Sequence, residues 1–465
     1  MSDDAARRQV ERGLTELCEW AANLRYDSIP AHVRSRAVLI LGDNIAATLS
    51  AADEPEVRAY HEQLIAARTN ERATIFRHGA PRVGLAEAAL ANGLAITWNE
   101  LDDGYTRTAV HPGALSQPLI LAAAEADGAP LADTLRATIG AYEIGTRFAR
   151  TWPGTLPRLH PHGVFNAVCA AAGLALLRGA GAAELMRALT AAATMVSPGP
   201  YSHPIEGALV RNAWPAAGVW LGMFACDLAR LGIAGTPGGP FDVYERGFGA
   251  PSHAEQLTAD LGSDWTLCDG YHKLYAACHH SHAAMEAIES LFAEHGELRG
   301  GARVESIHVE GSAMAMNFGN LAPETTLGAK FSVPHAVAGT VVYGAEDQRT
   351  FSSAGLRDEA IAAMRSRVTM AQLPEVKPWP LDRPARVTLQ LRDGTRLTAA
   401  CEAALGSSAR PLTQEQVLAK IRVLSARDAP GLEAAVVNAQ ASIARDALAP
   451  ANCREWIASF FPVRA

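Results

Sequence analysis

Four clusters of ionisable residues interrupt an otherwise apolar chain, and their residue types are those of proton transfer. The first is Asn99-Glu100-Leu101-Asp102-Asp103, followed by Arg107 and by His111-Pro112-Gly113. Imidazole titrates near neutral pH and a neighbouring carboxylate orients and tunes it, so this grouping suits a general acid or base. A polar loop whose acids cap the next helix accounts for the same residues. The second cluster, Arg158-Leu159-His160-Pro161-His162-Gly163, lies just before an expected helix start. Free N–H groups and the helix dipole favour a bound carboxylate there, and an N-cap loop with two surface histidines fits equally well.

The third cluster runs from Lys273 through Tyr275 and Cys278 to His279, His280 and His282. No metal site is expected from it: His279 and His280 point apart on a helix or a strand, and no HExxH accompanies them. Cys278, among alanines, reads as buried packing rather than as a nucleophile. The fourth cluster, Glu206-Gly207-Ala208-Leu209-Val210-Arg211-Asn212, is by itself an ordinary loop. A GxGxxG after a strand, a Walker motif and a GxSxG elbow are all missing, so nucleotide and α/β-hydrolase chemistry lack support.

The elements that must position these clusters are mostly helices. Ala-rich segments with helical apolar spacing cover Gly84–Trp98, Ala114–Ala126, Leu131–Ala149, Gly163–Leu177 and Ala182–Met195. Ala213–Leu231 is apolar nearly all round and is expected to be a buried central helix. Ser252 with Glu255 forms a capping-box signature that predicts a further helix. Near residue 268 the pattern changes. Arg303–Glu310 alternates as a half-buried strand does, and Arg386–Glu402 reads as a hairpin turning at Asp393-Gly394. Helical stretches at Pro334–Tyr343 and Asp358–Arg367 lie between them, and Thr413 with Gln416 opens a return to helix. The expected architecture is mostly α: an all-helical domain built from both chain ends (1–267 and 406–465), with an α+β lid domain inserted at 268–405.

Composition narrows the function. The chain has 465 residues, enough for two or three domains, with 49% hydrophobic and 19% charged residues, a globular balance. A formal charge of −8 argues against nucleic acid as a partner, because such binders need a basic face. Uncharged apolar stretches such as Ala213–Cys226 are too short to span a membrane, and the start MSDDAARRQVERG lacks the apolar core of a signal peptide. Seven scattered cysteines without a CxxC pair predict a reduced, cytoplasmic protein.

Taken in order and spacing, the clusters resemble the MmgE/PrpD family over nearly the whole chain. The resemblance rests on Leu101-Asp102-Asp103 running to His111-Pro112-Gly113, on Ala124-Glu125 and on Gly140-Ala141-Tyr142-Glu143-Ile144-Gly145-Thr146-Arg147. It continues through His160-Pro161-His162-Gly163, Lys273-Leu274-Tyr275 to Cys278 and His282, Lys330-Phe331-Ser332-Val333-Pro334, and Pro411-Leu412-Thr413 to Lys420. The family implies a helical domain with an inserted lid, usually as a homodimer, and a cleft site without metal or organic cofactor. Its reactions are dehydration of 2-methylcitrate, decarboxylation of cis-aconitate and epimerisation of iminodisuccinate, all of which make or quench a carbanion-like centre beside carboxylates. Carried over by position, the catalytic set falls on Glu100, His111, His160 and Lys273. His111 and His160 are then acid and base, Lys273 faces a substrate carboxylate or enolate, and Glu100 holds His111 in its tautomer. Asp102, Asp103, Arg107, His162, Glu206, Arg211 and His280 are expected around the substrate, a small carboxylate.

Three positions depart from the family pattern. Gly104 replaces the threonine of the decarboxylases, Glu206-Gly207 replaces a lysine and leaves Arg211 as the nearby cation, and Ser312–Asn320 lacks a tyrosine. These departures point away from a tricarboxylate and from decarboxylation. The expected enzyme is a lyase or isomerase, with dehydration of a hydroxycarboxylate favoured over epimerisation. The alternative of another class is a catalytically degenerate binding protein or structural dimer.

Overall fold

Alanine and glycine set the architecture by letting helices approach closely. The computed structural model describes residues 3–67, 70–446, 448 and 452–462. Its first part is helix on helix: α1 (Asp3–Ala22), α2 (Ala31–Ser50), α3 (Pro55–Ala66), α4 (Leu85–Ala95), α5 (Pro112–Asp127), α6 (Leu131–Thr151), α7 (Asn166–Leu177), α8 (Ala182–Thr194) and α9 (Trp214–Arg230). Helix α9 lies on α7 where Gly218 and Gly222 meet Asn166 and Ala170. A Cβ at Gly222 would come within 2.6 Å of the Ala170 Cβ, so only glycine permits this spacing.

The region after residue 268 supplies α10 (His279–Glu294) and a four-stranded sheet. The strands are β1 (Val304–Gly311), β2 (Val368–Gln372), β3 (Ala385–Leu391) and β4 (Arg396–Cys401), in the order β2-β1-β3-β4. The β3–β4 hairpin turns at Asp393-Gly394, with Gly394 at φ 88° and Asp393 Oδ1 accepting the Thr395 N–H. Helices α10 and α11 (Val333–Tyr343) cover one face and share its apolar core with Ile307, Val387 and Leu389. Strand β2 was not expected: it pairs parallel with β1 at an edge, and its five residues are too few to show a period.

The chain then returns to the first part. Thr413 and Gln416 form both bonds of the expected capping box at the start of α12 (Gln414–Ser425), and α13 (Leu432–Ala444) follows. Val417, Ile421 and Val436 enter one core with Val38, Leu41 and Ile45 of α2, so helices from both ends pack together. A buried polar tie reinforces this: Lys420 Nζ lies 2.7 Å from Asp43 Oδ1 and donates to the Leu101 carbonyl at 2.6 Å, while Asp43 Oδ2 takes the His272 Nδ1 proton at 2.6 Å.

Three expectations are corrected. Gly163–Leu177 is not one helix, because the Pro161–Val164 turn ends at Phe165 and α7 starts afresh at Asn166, whose amide donates to the Trp214 carbonyl. Ser252–Glu255 opens only a 3₁₀ turn, Ala254–Leu257, without a side-chain cap. Helix α9 is not buried all round: Trp220 and Phe224 are 55% and 49% exposed. No helix of the described residues is long and apolar enough to cross a membrane.

Removing one member of a buried charge pair costs about 3–5 kcal/mol, because its partner stays buried. Asp43→Ala is therefore expected to lower the melting temperature by roughly 3–10 °C. A melt within a degree of the unmodified protein would show that the tie is not structural.

Candidate active site

The site forms where the loop between α4 and α5 meets the strap 271–278 at the entry to the sheet region. Glu100 carries the loop's one unusual backbone angle, φ 54°, in the left-handed region that costs a non-glycine residue roughly 1–2 kcal/mol. The conformation is held by its carboxylate. Oε1 lies 2.6 Å from Arg211 Nη1, and Oε2 accepts from Lys273 Nζ at 2.9 Å. Lys273 Nζ is also 3.6 Å from Asp102 Oδ1, and all four side chains are buried.

Asp102, not Glu100, holds His111. Its Oδ2 accepts a hydrogen bond from His111 Nδ1–H at 2.6 Å, so the expected orienting role moves two residues along the chain. Spacing alone does not separate the two acids; the left-handed turn at Glu100 aims that carboxylate at the cations instead. Burial pushes both carboxyls up, but Lys273 and Arg211, with His111 beside Asp102, hold both below the usual carboxylate range. Burial likewise disfavours the Lys273 ammonium, and Asp102 and Glu100 more than offset it, so Lys273 stays charged.

Imidazoles line the other side. His160 caps the Pro161–Val164 turn, its Nδ1 accepting the His162 N–H at 3.2 Å, which leaves its proton on Nε2. The His162 ring sits edge-on to both His111 and His160, with centroids 4.6 Å from each. Burial, with Arg211 nearby, holds His160 and His162 neutral. The arrangement thus offers a base, His111 Nε2, backed by a carboxylate, and a neutral donor, His160 Nε2–H, around one ammonium.

The remaining expected residues divide. Arg211 joins the cluster and stacks its guanidinium over Phe331, 5.3 Å from the ring centroid. Glu206 does not face the cluster: it is exposed at the end of the Ser202–Glu206 turn, because Gly207 at φ 81° turns the chain there. A side chain at Gly207 would strike Thr325, so the cation of the family pattern has no room at that position. Asp103 turns inward, where Asn44 Nδ2 donates to its Oδ1 at 2.7 Å, and burial raises its carboxyl to about 6. Arg107 is exposed and lies over Trp379, and His280 stacks on Phe318. His279 accepts from Arg383 and His282 donates to the Ala277 carbonyl, so the histidine run serves separate partners.

Lys330 was missed by sequence reasoning. It is buried, donates to the Trp98 carbonyl and Asn99 Oδ1 at the root of the α4–α5 loop, and burial lowers it to about 8. Its segment, Lys330-Phe331-Ser332-Val333-Pro334, was matched to the family, but no role was attached to the lysine. Tyr271 was missed too: its ring fills the space where a Cβ on Gly104 would lie, 2.6 Å from the nearest ring atom. Among the described residues, Asp102, His111 and His162 bring three ligand-type atoms within 4.8 Å of one another. Asp102 is already engaged by the His111 proton and by Lys273, whose charge would repel a cation, so the set fits a proton better than a metal ion.

Residues 15–257 match the MmgE/PrpD N-terminal domain and residues 275–441 the MmgE/PrpD C-terminal domain, so the chain belongs to the MmgE/PrpD family. Among curated relatives it is similar to a cis-aconitate decarboxylase of Aspergillus terreus, 26% identical over 456 residues covering 91% of this chain and 92% of the relative. The cis-aconitate decarboxylase-like protein oryM of Aspergillus oryzae is 26% identical over 441 residues, 88% of this chain and 90% of its own length.

Burial holds His272, His61 and His335 at about 4, and His160, His162, His279 and His280 well below their usual value. As pH falls from about 6.5 the unfolded chain takes up protons that the native one refuses. Stability from these groups is therefore complete above about 6.5 and lost on the way down toward 4. Asp103 and Glu143, raised to about 6 and about 7, act in the opposite sense but are fewer. A melting temperature that falls steadily from about pH 7.5 to about pH 5 is expected, and one that rises would contradict the neutral assignment.

Proposed function

We propose that this chain is a cofactor-independent lyase that removes water from a hydroxycarboxylate by acid–base catalysis. The observation that carries this reading is the 2.6 Å Asp102–His111 hydrogen bond beside the buried Lys273 ammonium. His111 Nε2 takes the proton from the carbon next to a substrate carboxylate, and the C–H electron pair passes into that carboxylate as an enolate. Lys273 and the His160 Nε2–H stabilise the developing oxyanion. Asp102 stabilises the His111 imidazolium, which returns its proton to the departing hydroxyl as the C–O bond breaks, giving water and an alkene. The imidazolium thus ends neutral, ready for another turn.

Decarboxylation of cis-aconitate, the activity named for the relatives, is disfavoured. The threonine position is a glycine packed under Tyr271, and a side chain at Gly207 would strike Thr325, so the cation of the family pattern has no room there. Proton NMR in heavy water with a panel of hydroxy-, amino- and unsaturated acids tests the reading. Appearance of the alkene with loss of water supports it, with solvent deuterium entering the neighbouring carbon of the hydroxy acid as the reaction reverses. Exchange or inversion alone would make the protein an epimerase, carbon dioxide release a decarboxylase, and inertness toward the whole panel would overturn the reading. Turnover is expected to survive exhaustive chelation.

On the substrate so identified, His111→Gln should lower turnover by about 10²–10⁴ with little change in the melt, because this ring is partly exposed at the cleft. Lys273→Met would strand two buried carboxylates, so the paired variant Lys273→Met/Glu100→Gln is the cleaner probe. Near-normal turnover in His111→Gln would remove the base, and near-normal turnover in the paired variant would remove the oxyanion-stabilising ammonium.

We further propose that the chain acts as a homodimer through the outer face of α9 and the turns that flank it. Val210, Trp220, Phe224, Leu231 and Ile233 are each between 49% and 75% exposed, which supports this face as the one a second copy covers. Trp220→Glu/Phe224→Glu should convert a dimer to a monomer in light scattering. A wild-type monomer, or a dimer unchanged by the pair, would contradict the assignment.

A further inference from the structure

We propose that the substrate carries an apolar chain or ring beside its reacting carboxylate, held in a cavity of about 540 Å³ adjoining the catalytic cluster. This rests on the proton-transfer reading and names the substrate class for it. The cavity begins where that cluster ends. Tyr201, one lining residue, packs its ring 5.1 Å from that of His160 and so separates the cavity from the cluster by one side chain. Thr106 to Ala109, on the loop that joins Asp102 to His111, form its floor. An acid with its head at Lys273 and His111 therefore directs its remaining atoms into this space.

The walls are chosen for carbon. Leu156 and Phe165 come from the helical side, and Met314, Leu373 and Val376 from the sheet side. A further carboxylate here would be desolvated against these apolar side chains, with neutral donors such as Thr108, Ser312 and Gln372 offsetting part of the loss. The two cations at the cavity are otherwise engaged: Arg383 on His279, with Asp382 3.6 Å away, and Arg107 over the Trp379 ring. A volume in the range of about 300–1,000 Å³ typical of pockets for larger ligands exceeds the need of a six-carbon polycarboxylate. A cavity of this size fits an acid head with an apolar substituent larger than a methyl group.

Calorimetric titration of the full-length protein with succinate, methylsuccinate, hexylsuccinate and tricarballylate tests this. Each buried methylene is worth about fourfold in affinity, so hexylsuccinate should bind on the order of 100-fold or more tighter than methylsuccinate. Met314→Asp and Val376→Asp should each flatten that gain. Affinity that does not change with chain length, tighter binding of tricarballylate than of hexylsuccinate, or no binding by any of the four would overturn the inference. The two readings fail separately: tight hexylsuccinate binding by a protein inert in the heavy-water panel removes the reaction and keeps the subsite. A reactive protein with no chain-length dependence does the reverse.

Discussion

The pairing of Lys273 with Glu100, 2.9 Å apart and out of contact with water, is the constraint around which this structure is arranged. A buried ammonium without counter-charge would be neutralised or expelled, so each charge must be met within the protein. Glu100 meets two, Lys273 and Arg211, and takes a left-handed backbone to do so. Three remote stretches of sequence are thereby fixed to one another: the α4–α5 loop, the turn before α9 and the strap leading to α10. Lys420 extends the arrangement, joining the Leu101 carbonyl of the same loop to Asp43 of α2 and so to the C-terminal helices.

With Glu100 occupied by cations, Asp102 is left to orient His111, and the chemistry follows from hydrogen-bond direction. An Nδ1 proton directed at a carboxylate leaves Nε2 basic; an Nδ1 that accepts a backbone N–H, as in His160, leaves Nε2 a donor. Two imidazoles of the same intrinsic character are thus made a base and a donor by their neighbours. Lys330, lowered to about 8 by burial, anchors the Trp98 and Asn99 end of that loop from the sheet side.

Much of this was legible in the sequence, for identifiable reasons. Strong local signals became the expected elements: the alanine-rich helical periods, the Thr413–Gln416 capping box and the Asp393-Gly394 hairpin. Signals that depend on a partner misled. The all-round apolar character of α9 serves an outward face as well as the core, and Ser252–Glu255 has a capping pattern without the packing that sustains a helix. Within the site, residue types singled out acids, imidazoles and a lysine at 100–111, 160 and 273, and only the family resemblance implied that they form one site. They did not show which acid meets which base, because that is set by the left-handed backbone at Glu100, which spacing does not reveal. Nor did they separate Arg211, which enters the cluster, from Glu206, which stays at the surface; the Gly207 turn between them decides it.

The central claim is that Asp102 alone holds His111 in its basic tautomer while Glu100 serves the cations, and proton NMR of histidine-labelled protein reads it directly. Two imidazole Nδ1–H protons lie on buried carboxylates at 2.6 Å, those of His111 and His272, and both should resonate far downfield at neutral pH. Asp102→Asn should remove one of these signals, whereas Glu100→Gln should leave both in place. Survival of both signals in Asp102→Asn, or loss of the His111 signal in Glu100→Gln with the fold intact, would contradict the account.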